Sequence, residues 1–560
     1  MFKGGTMSLQ NKVIYQLYPK SFYDSNGDGI GDLRGIIEKI DYFRRLHVDM
    51  IWFNPFFVSP QNDNGYDVAD YRRIDPRFGT MDDFDELMRK LQDIGIDVML
   101  DMVLNHTSTQ HEWFQKALAG DPMYQAYYYI RDPKPDGTVP TNWESKFGGS
   151  AWEKFGNIGK YYLHLYGPTQ ADLDWHNPQV RKEAADIVNF WRQKGVRGFR
   201  FDVLNVIGKD NRLVDAPPEI QSKTLYTDTP VVSSYIKEIA ASSFGQDDNS
   251  VTVGEMSSTT IPKAIEYTNP ANKELSMVFQ FHHLKTDYVN GKKWTKKRYD
   301  FKKLRGLLNQ WGVGMSKGGG WQALFWNNHD QPRALDRFGD VKHYRVKSAQ
   351  MLAASIHLNR GTPYIYQGEE IGMSDPDYTS MEDYVDIEAK NAYRELLNAG
   401  KPADEAFAIV HSKARDNSRT PMQWDSSANA GFTTGTPWLR PTNQKLVNVK
   451  DELDHGQIFP FYQKLIYLRK TVPVIAAGDY QPFGTNIGWL YGYQRHLNHD
   501  ALLVLNNFAD HSIQVPLPAE WQQGNILITN QSGIQLTDVL TLEPFTTLAI
   551  RTIREEKVHG

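Results

Sequence analysis

Between residues 13 and 471, short apolar runs of five or six residues alternate with amphipathic helical stretches, and eight such runs can be counted. From about residue 478 the rhythm changes to short alternating strands with no helical stretch between them. Strand–helix alternation builds parallel sheets, and eight parallel βα units close into a barrel. The predicted class is therefore α/β: a (β/α)8 TIM barrel with a small inserted domain after strand 3 and a C-terminal antiparallel β-sandwich domain.

The first strand is VIYQLYP, residues 13–19. A helix is expected near 33–46, a strand near 48–53 (VDMIWF), a helix near 81–94 and a strand at 96–103 (IDVMLDMV). The alternation breaks after His106, and residues 107–175, rich in Gly, Pro, Trp and Tyr, read as the insert. It resumes with helix 178–194, strand 196–202, and strands near 249–255 and 275–281. Helix 301–313, strand 321–327, helix 342–359 and strand 362–367 complete the eight. A polar segment over 370–450 precedes a last helix at 457–471, and the C-terminal strands are WLYGY, ALLVLNNF, NILITN and TLAIRTI. The expected domains are 1–105 with 176–475 for the barrel, 106–175 for the insert and 476–560 for the C-terminal part.

At 560 residues the chain suits one large domain with smaller ones. Its net charge of −5 carries no long single-sign run, which argues against nucleic acid or an anionic membrane as partner. There are no cysteines, so disulfides and thiolate metal sites are excluded. The start lacks an apolar signal core, and no stretch of about 18 apolar residues follows. Met7 is a candidate natural start, and the chain reads as cytoplasmic, a monomer or weak oligomer.

The chemistry collects at predicted strand ends. In GFRFDVLN, residues 198–205, Arg200 and Asp202 are two apart and share one face of a strand, with Phe199 and Phe201 on the other. The neighbouring cation is expected to lower the Asp202 pKa and keep it ionised, as a nucleophile requires. Taken alone, R-x-D also fits a structural ion pair. Strand 3 adds Asp101, Asn105 and His106, strand 5 ends in Glu255, and strand 7 in His329 and Asp330. Barrel topology brings such ends to one rim, where clustered carboxylates serve function rather than stability. Two carboxylates in unlike settings suit glycoside hydrolysis, with Asp202 ionised and Glu255 as acid/base.

In DSNGDGIGD, Asp24, Asn26, Asp28 and Asp32 take positions 1, 3, 5 and 9 of a calcium-type loop, with Gly29 at 6 and the Ile30 carbonyl at 7. Position 12 is Gly35, so the bidentate Glu is missing. The loop reads as a structural Ca2+ site (or Mg2+), or else as an Asx-rich turn capping the next helix. No cofactor is expected for catalysis.

The segments DMVLNH, GFRFDVLN, VGEMSS and WNNHDQPR resemble the four signature regions of the α-amylase superfamily, glycoside hydrolase family 13, in order and spacing. The resemblance covers essentially the whole chain. It implies Asp202 as nucleophile, Glu255 as general acid/base and Asp330 as transition-state stabiliser. It also implies that Arg200 orients the nucleophile and that His106 and His329 bond the sugar. Tyr66 and Asp67 of NGYDVADY match the stacking tyrosine and a sugar-binding aspartate, and Arg415 of ARDNSRTPMQW an arginine at the non-reducing end. Asn105 matches a calcium ligand of true α-amylases, but the following TSTQHEWF resembles the calcium-free oligosaccharidase branch.

QADLDW at 170–175 and Val203 resemble the oligo-1,6-glucosidase subfamily. The loop FHHLKTDYVNGKKW, residues 281–294, departs from that subfamily, with His282 and Lys285 where acidic residues are expected. Together with His283, Lys292 and Lys293 it suits an anionic sugar, since lysine gives phosphate charge-assisted hydrogen bonds. With GGGWQALFW at 318–326 it resembles the family's phosphotrehalose-hydrolysing branch, which implies a phosphorylated disaccharide as substrate. Cleavage of isomaltose-type ends is the alternative. An inactive sugar-binding or transporter-associated homologue is the remote one.

Overall fold

The computed structural model describes residues 9–553; the candidate start at Met7 lies outside them. Eight parallel strands follow in chain order: β1 (Ile14–Leu17), β2 (Met50–Phe53), β3 (Asp97–Met102), β4 (Gly198–Phe201), β5 (Val251–Glu255), β6 (Met277–Phe279), β7 (Ala323–Leu324) and β8 (Thr362–Tyr366). The chain divides into a central unit, 51–280, and a flanking unit made of 9–50 and 281–553.

In the central unit the strand order is β6-β5-β4-β3-β2. Leu100 lies opposite Phe199 and Asp101 opposite Arg200, while Arg200 pairs with Val253 across the other edge of β4. In-register neighbours on parallel strands point to the same side, so Asp101 and Arg200 are set side by side by backbone pairing alone. Phe199 and Phe201 alternate to the opposite face and are fully buried, Phe201 packing 5.4 Å from the Phe244 ring. The helices that cover this face have legible starts. Met81–Asp93 (α1) carries a capping box between Thr80 and Asp83, and Pro178–Gln193 (α2) opens with an Asn177 cap and Pro178 in the first turn. Between β3 and β4 the insert folds around a three-stranded antiparallel sheet and a core of Tyr129, Trp143, Trp152 and Leu163.

The flanking unit holds β1, β8 and β7 in that order, with Gln16 paired to Tyr366 and Ala323 to Thr362. Its helices include α3 (Phe301–Lys317), α4 (Ala334–Phe338), α5 (Val341–His357) and α6 (Ile458–Thr471). The C-terminal part is a five-stranded antiparallel sheet, β9 (Gln481–Phe483), β10 (Leu490–Leu497), β11 (Asp500–Asn507), β12 (Asn525–Thr529) and β13 (Thr547–Ile553), in the order β9-β10-β11-β13-β12. It packs with the pair Ile513–Pro516 and Val539–Leu542 over Leu503, Leu505, Val515, Leu540 and Leu548.

Several elements differ from the sequence pattern, among them the helices Ile387–Asn398 and Ala403–His411 inside the 370–450 segment. The helix expected over 33–46 is broken at Lys39, whose ψ of 12° is not helical, into Leu33–Glu38 and Ile40–Leu46. The run 321–327 is strand only at Ala323–Leu324. Beyond it the chain is held by side chains instead, Trp326 Nε1 donating to the Leu352 carbonyl and Asn327 to Glu369. One helical turn, Ala519–Gln522, does interrupt the C-terminal strands, where it seats Trp521 in the core.

Removing the Phe201 ring leaves a cavity behind the strand that carries Arg200. Phe201→Ala is expected to cost about 3–5 kcal/mol of stability, read from thermal or urea unfolding; a loss under about 1 kcal/mol would place that ring outside the core.

Candidate active site

The central unit gathers three carboxylates on one guanidinium. Arg200 Nη1 donates to Asp101 Oδ1 at 2.7 Å and to Asp202 Oδ1 at 2.6 Å, and Nη2 to Glu255 Oε2 at 2.6 Å. Asp202 and Glu255 are also within hydrogen-bonding reach of each other. Asp101 accepts from Tyr66 Oη at 2.8 Å and Trp52 Nε1 at 3.2 Å, and Arg200 lies 5.0 Å over the Trp52 ring. The Asp202 pKa is not lowered, as proximity to Arg200 alone suggested. Burial raises it, Arg200 pulls back without winning, and the charge of Asp101 adds to the rise. Burial raises Asp101 in the same way.

Local backbone geometry fixes the nucleophile candidate. Val203, directly after Asp202, sits in the left-handed region at φ 38°, ψ 42°, which a β-branched residue adopts only at a cost of about 1–3 kcal/mol. Its N–H lies 3.3 Å from Glu255 Oε2.

Around this cluster, Tyr66 is buried with its hydroxyl between Asn54 and Asp101. Asp67 accepts from Ser59 Oγ, Asn62 N and Asp63 N, and its pKa is raised by burial. His106 places Nε2 3.0 Å from the Tyr66 carbonyl and Nδ1 3.1 Å from Asn105 Nδ2, and burial lowers its pKa, so it is neutral.

Asn105 has a partner that no motif in the sequence indicates. The ammonium of Lys209, fully buried, lies 2.8 Å from Asn105 Oδ1, Asp172 Oδ2 and the Val206 carbonyl alike. One built-in cation thus satisfies a pocket of hard oxygens.

In the flanking unit, Asp330 Oδ1 accepts from Arg419 Nη2 at 2.8 Å, and Arg419 Nε binds the His329 carbonyl. Gln16 Nε2 lies 2.9 Å from His329 Nδ1. Arg415 Nη1 stands 3.5 Å from Asp330 but forks onto Asp386 at 2.9 and 2.6 Å, a bidentate pair that holds Asp386 well below the usual carboxylate range against its burial. Arg419 and Asp386 were missed. Arg419 was findable, because it stands four residues after Arg415 and so on the same side of one helical turn. Asp386 stands at the start of the helix Ile387–Asn398, in a segment the sequence marks only as polar.

The basic loop is uneven. His283 is buried, its Nε2 2.9 Å from the Phe325 carbonyl, and burial lowers its pKa to about 4, so it carries no charge near neutral pH. His282 stacks on Trp311 at 5.5 Å. Lys293 is paired with Glu388 at 3.0 Å, Lys285 is half-buried and Lys292 is exposed. In the 24–32 loop, Asp24 Oδ1 accepts from the N–H groups of Asn26 and Gly27 and Oδ2 from Gly29, Asn26 Oδ1 accepts from Asp28, and Asp28 Oδ1 from Ile30. Asp32 caps the next helix through the Gly35 N–H. Among the described residues no three acidic or imidazole groups are gathered as a metal cluster.

The family description "Alpha amylase, catalytic domain" matches residues 16–478. The chain belongs to the alpha-amylase family. The fold class is that family's (β/α)8 barrel with a C-terminal antiparallel β domain. Trehalose-6-phosphate hydrolase of Bacillus subtilis is 48% identical over 96% of this chain and 97% of its own length, and that of Escherichia coli 49% over 92% of each. An oligo-1,6-glucosidase of Parageobacillus thermoglucosidasius is 45% identical over 92% of this chain and 94% of its own. The crystal structure of Bacillus licheniformis trehalose-6-phosphate hydrolase superposes with a TM-score of 0.93 at 48% identity, covering 98% of this chain and all of that one. No helix among the described residues is long and apolar enough to cross a membrane.

Lys209→Met leaves Asp172 buried without its cation and is expected to cost about 3–5 kcal/mol, measured by denaturant unfolding. A chelator should have no effect at this pocket. A neutral outcome for Lys209→Met would show the ammonium to be dispensable there.

Proposed function

We propose that the chain is a retaining α-glucosidase that hydrolyses trehalose 6-phosphate to glucose and glucose 6-phosphate. The observation that carries this reading is the 48–49% identity to trehalose-6-phosphate hydrolases over more than nine-tenths of the chain. The carboxyl groups of Asp202 and Glu255 share one guanidinium and lie side by side. Such a close pair supports double displacement; inverting enzymes keep their carboxyls about 6.5–9.5 Å apart to admit a water.

In this mechanism Asp202 attacks the anomeric carbon of the unsubstituted glucose as Glu255 protonates the bridging oxygen, and glucose 6-phosphate leaves. Glu255 then takes a proton from water, which releases glucose. Arg200 orients both carboxyls. Asp330, held by Arg419, is the transition-state stabiliser, and Tyr66, Asp67, His106, His329 and Arg415 bind the sugar. Phosphate is assigned to the basic loop, where exposed Lys292 has the first claim, with Lys285, His282 and Lys293 in support. The buried neutral His283 is better placed to hold the loop than to meet an anion.

An oligo-1,6-glucosidase is the second reading, favoured by the 45% identity to one. An inactive sugar-binding homologue has less support, because Asp202, Glu255 and Asp330 are all present. We place the protein in the cytoplasm as a monomer or weak oligomer. The oxygen donors Asp24, Asn26, Asp28, Asp32 and the Ile30 carbonyl match a structural Ca2+ or Mg2+ site in type, although Asp24 already accepts from the N–H groups of Asn26, Gly27 and Gly29 and from the Thr433 hydroxyl and would have to release one of them. A chelator is then expected to lower the melting temperature and to leave turnover at low temperature intact; an unchanged melting temperature would remove the ion.

Trehalose 6-phosphate, trehalose and isomaltose assayed side by side test the substrate. Lys292→Ala should lower kcat/KM on trehalose 6-phosphate about 10–100-fold, the worth of a charge-assisted bond, and spare a plain aryl α-glucoside. Equal losses on both would exclude phosphate recognition by Lys292. Asp202→Asn should lower turnover of every substrate by at least about 10³-fold.

Asp202 must be ionised to attack, and burial raises its pKa. The acid limb of kcat/KM, which reports the free enzyme, should therefore lie well above about 4, the ordinary aspartate value. A limb at or below that value would mean that Arg200 outweighs burial after all.

A further inference from the structure

Beside the segment that carries His329 and Asp330, the flanking unit buries a carboxyl that the mechanism does not use. Glu369 follows the end of β8 and borders a cavity of about 20 Å³, lined also by Trp326, Asn327, Met373 and Tyr462. Its Oε2 accepts from Asn327 Nδ2 at 2.5 Å, and its Oε1 from the Tyr462 hydroxyl of α6 at 3.0 Å. Asn327 Oδ1 in turn accepts from the N–H of Ala334, the first residue of α4, at 2.6 Å. The Asn327 side chain therefore bridges both ends of the loop 327–334, and within that loop the Asp330 N–H is held by Asn328 Oδ1 at 2.9 Å.

An amide can serve this bridge in one orientation only. The Ala334 N–H can only donate, so it takes the Asn327 oxygen and leaves the Asn327 nitrogen to an oxygen of the Glu369 carboxyl. We propose that Glu369 is a positioning residue for the reaction, fixing the Asn327 amide and through it the loop that presents Asp330. The inference rests on the reading of Asp330 as transition-state stabiliser.

The test uses the full chain and an aryl α-glucoside, so that it does not depend on the phosphate reading. Glu369→Ala, Glu369→Gln, Asn327→Ala and Tyr462→Phe are compared, and Glu369→Ala is repeated in an Asp330→Asn background, with thermal unfolding recorded for each. Glu369→Ala and Asn327→Ala should lower kcat about tenfold or more with KM within about twofold, the mark of an interaction made in the transition state. Glu369→Gln, whose amide oxygen can still face Asn327, should restore most of the loss. Tyr462→Phe loosens Glu369 on the side away from the loop and should stay within about twofold. With Asp330→Asn already present, Glu369→Ala should cost little more. Parent-like kcat in Glu369→Ala, or the same fractional loss in both backgrounds, would overturn the inference. Should Glu369→Ala fail to fold, Asn327→Leu, which keeps the volume and removes both amide contacts, must show the same fall in kcat. An Asp330→Asn protein as active as its parent would overturn the Asp330 reading and this inference with it.

Discussion

The central unit depends on how one buried guanidinium divides its charge among Asp101, Asp202 and Glu255. Fully ionised, the four groups carry an excess of two negative charges in a place with almost no water, so the cluster retains protons that exposed carboxyls would lose. That explains why Asp101 and Asp202 titrate high although each touches Arg200. It also gives the cluster the property an acid/base pair requires, because a proton held between neighbouring carboxyls is available for transfer. Strand register creates the arrangement. Asp101 is opposite Arg200, and Arg200 opposite Val253, which places Glu255 two residues further along the next strand. The strained Val203 backbone is tolerated because the surrounding strands already determine where Asp202 must stand.

Three buried anions elsewhere in the chain are matched by the same device, a cation supplied by the chain itself. Asp172 has Lys209, Asp386 has Arg415, and Asp287 has Arg337 with Lys413. Such pairs contribute less to net stability than to placement, since desolvation offsets most of the attraction while loss of one partner leaves the other uncompensated. An ammonium at the Asn105–Asp172 pocket also makes that region independent of any ion in the medium.

What the sequence disclosed followed from period and spacing. Strand–helix alternation fixed the eight strands to within a few residues, and R-x-D on a strand was enough to put Arg200 and Asp202 on one face. The pKa of Asp202 departs from the sequence expectation because proximity to Arg200 is visible in a sequence, whereas burial to this depth is not. Arg419 lies within ARDNSRTPMQW one turn after Arg415, so its spacing marks it as a second arginine on the same side. Asp386 and Lys209 left no trace. Each is one charge among several in its stretch of chain, and its ion-pair partner is about 29 residues away in one case and about 37 in the other. The break at Lys39 and the two-residue β7 were hidden for a related reason, since tertiary contacts overrode a pattern that was locally continuous.

The basic loop shows how composition overstates charge. Five of its residues look cationic on paper, yet His283 is neutral and Lys293 is balanced by Glu388. Glu388 also lies 3.3 Å from Arg415, so a charge chain runs from Lys293 through Glu388 to Arg415 and on toward Asp330. A phosphate at this loop would compete with Glu388 for Lys293, whereas at exposed Lys292 it meets no such rival. A neutral disaccharide gains nothing from either contact. On the proposed phosphate reading, discrimination between phosphorylated and plain substrates would fall on Lys292, and the Lys293–Glu388 pair would set how far that selectivity is shared with the rest of the loop.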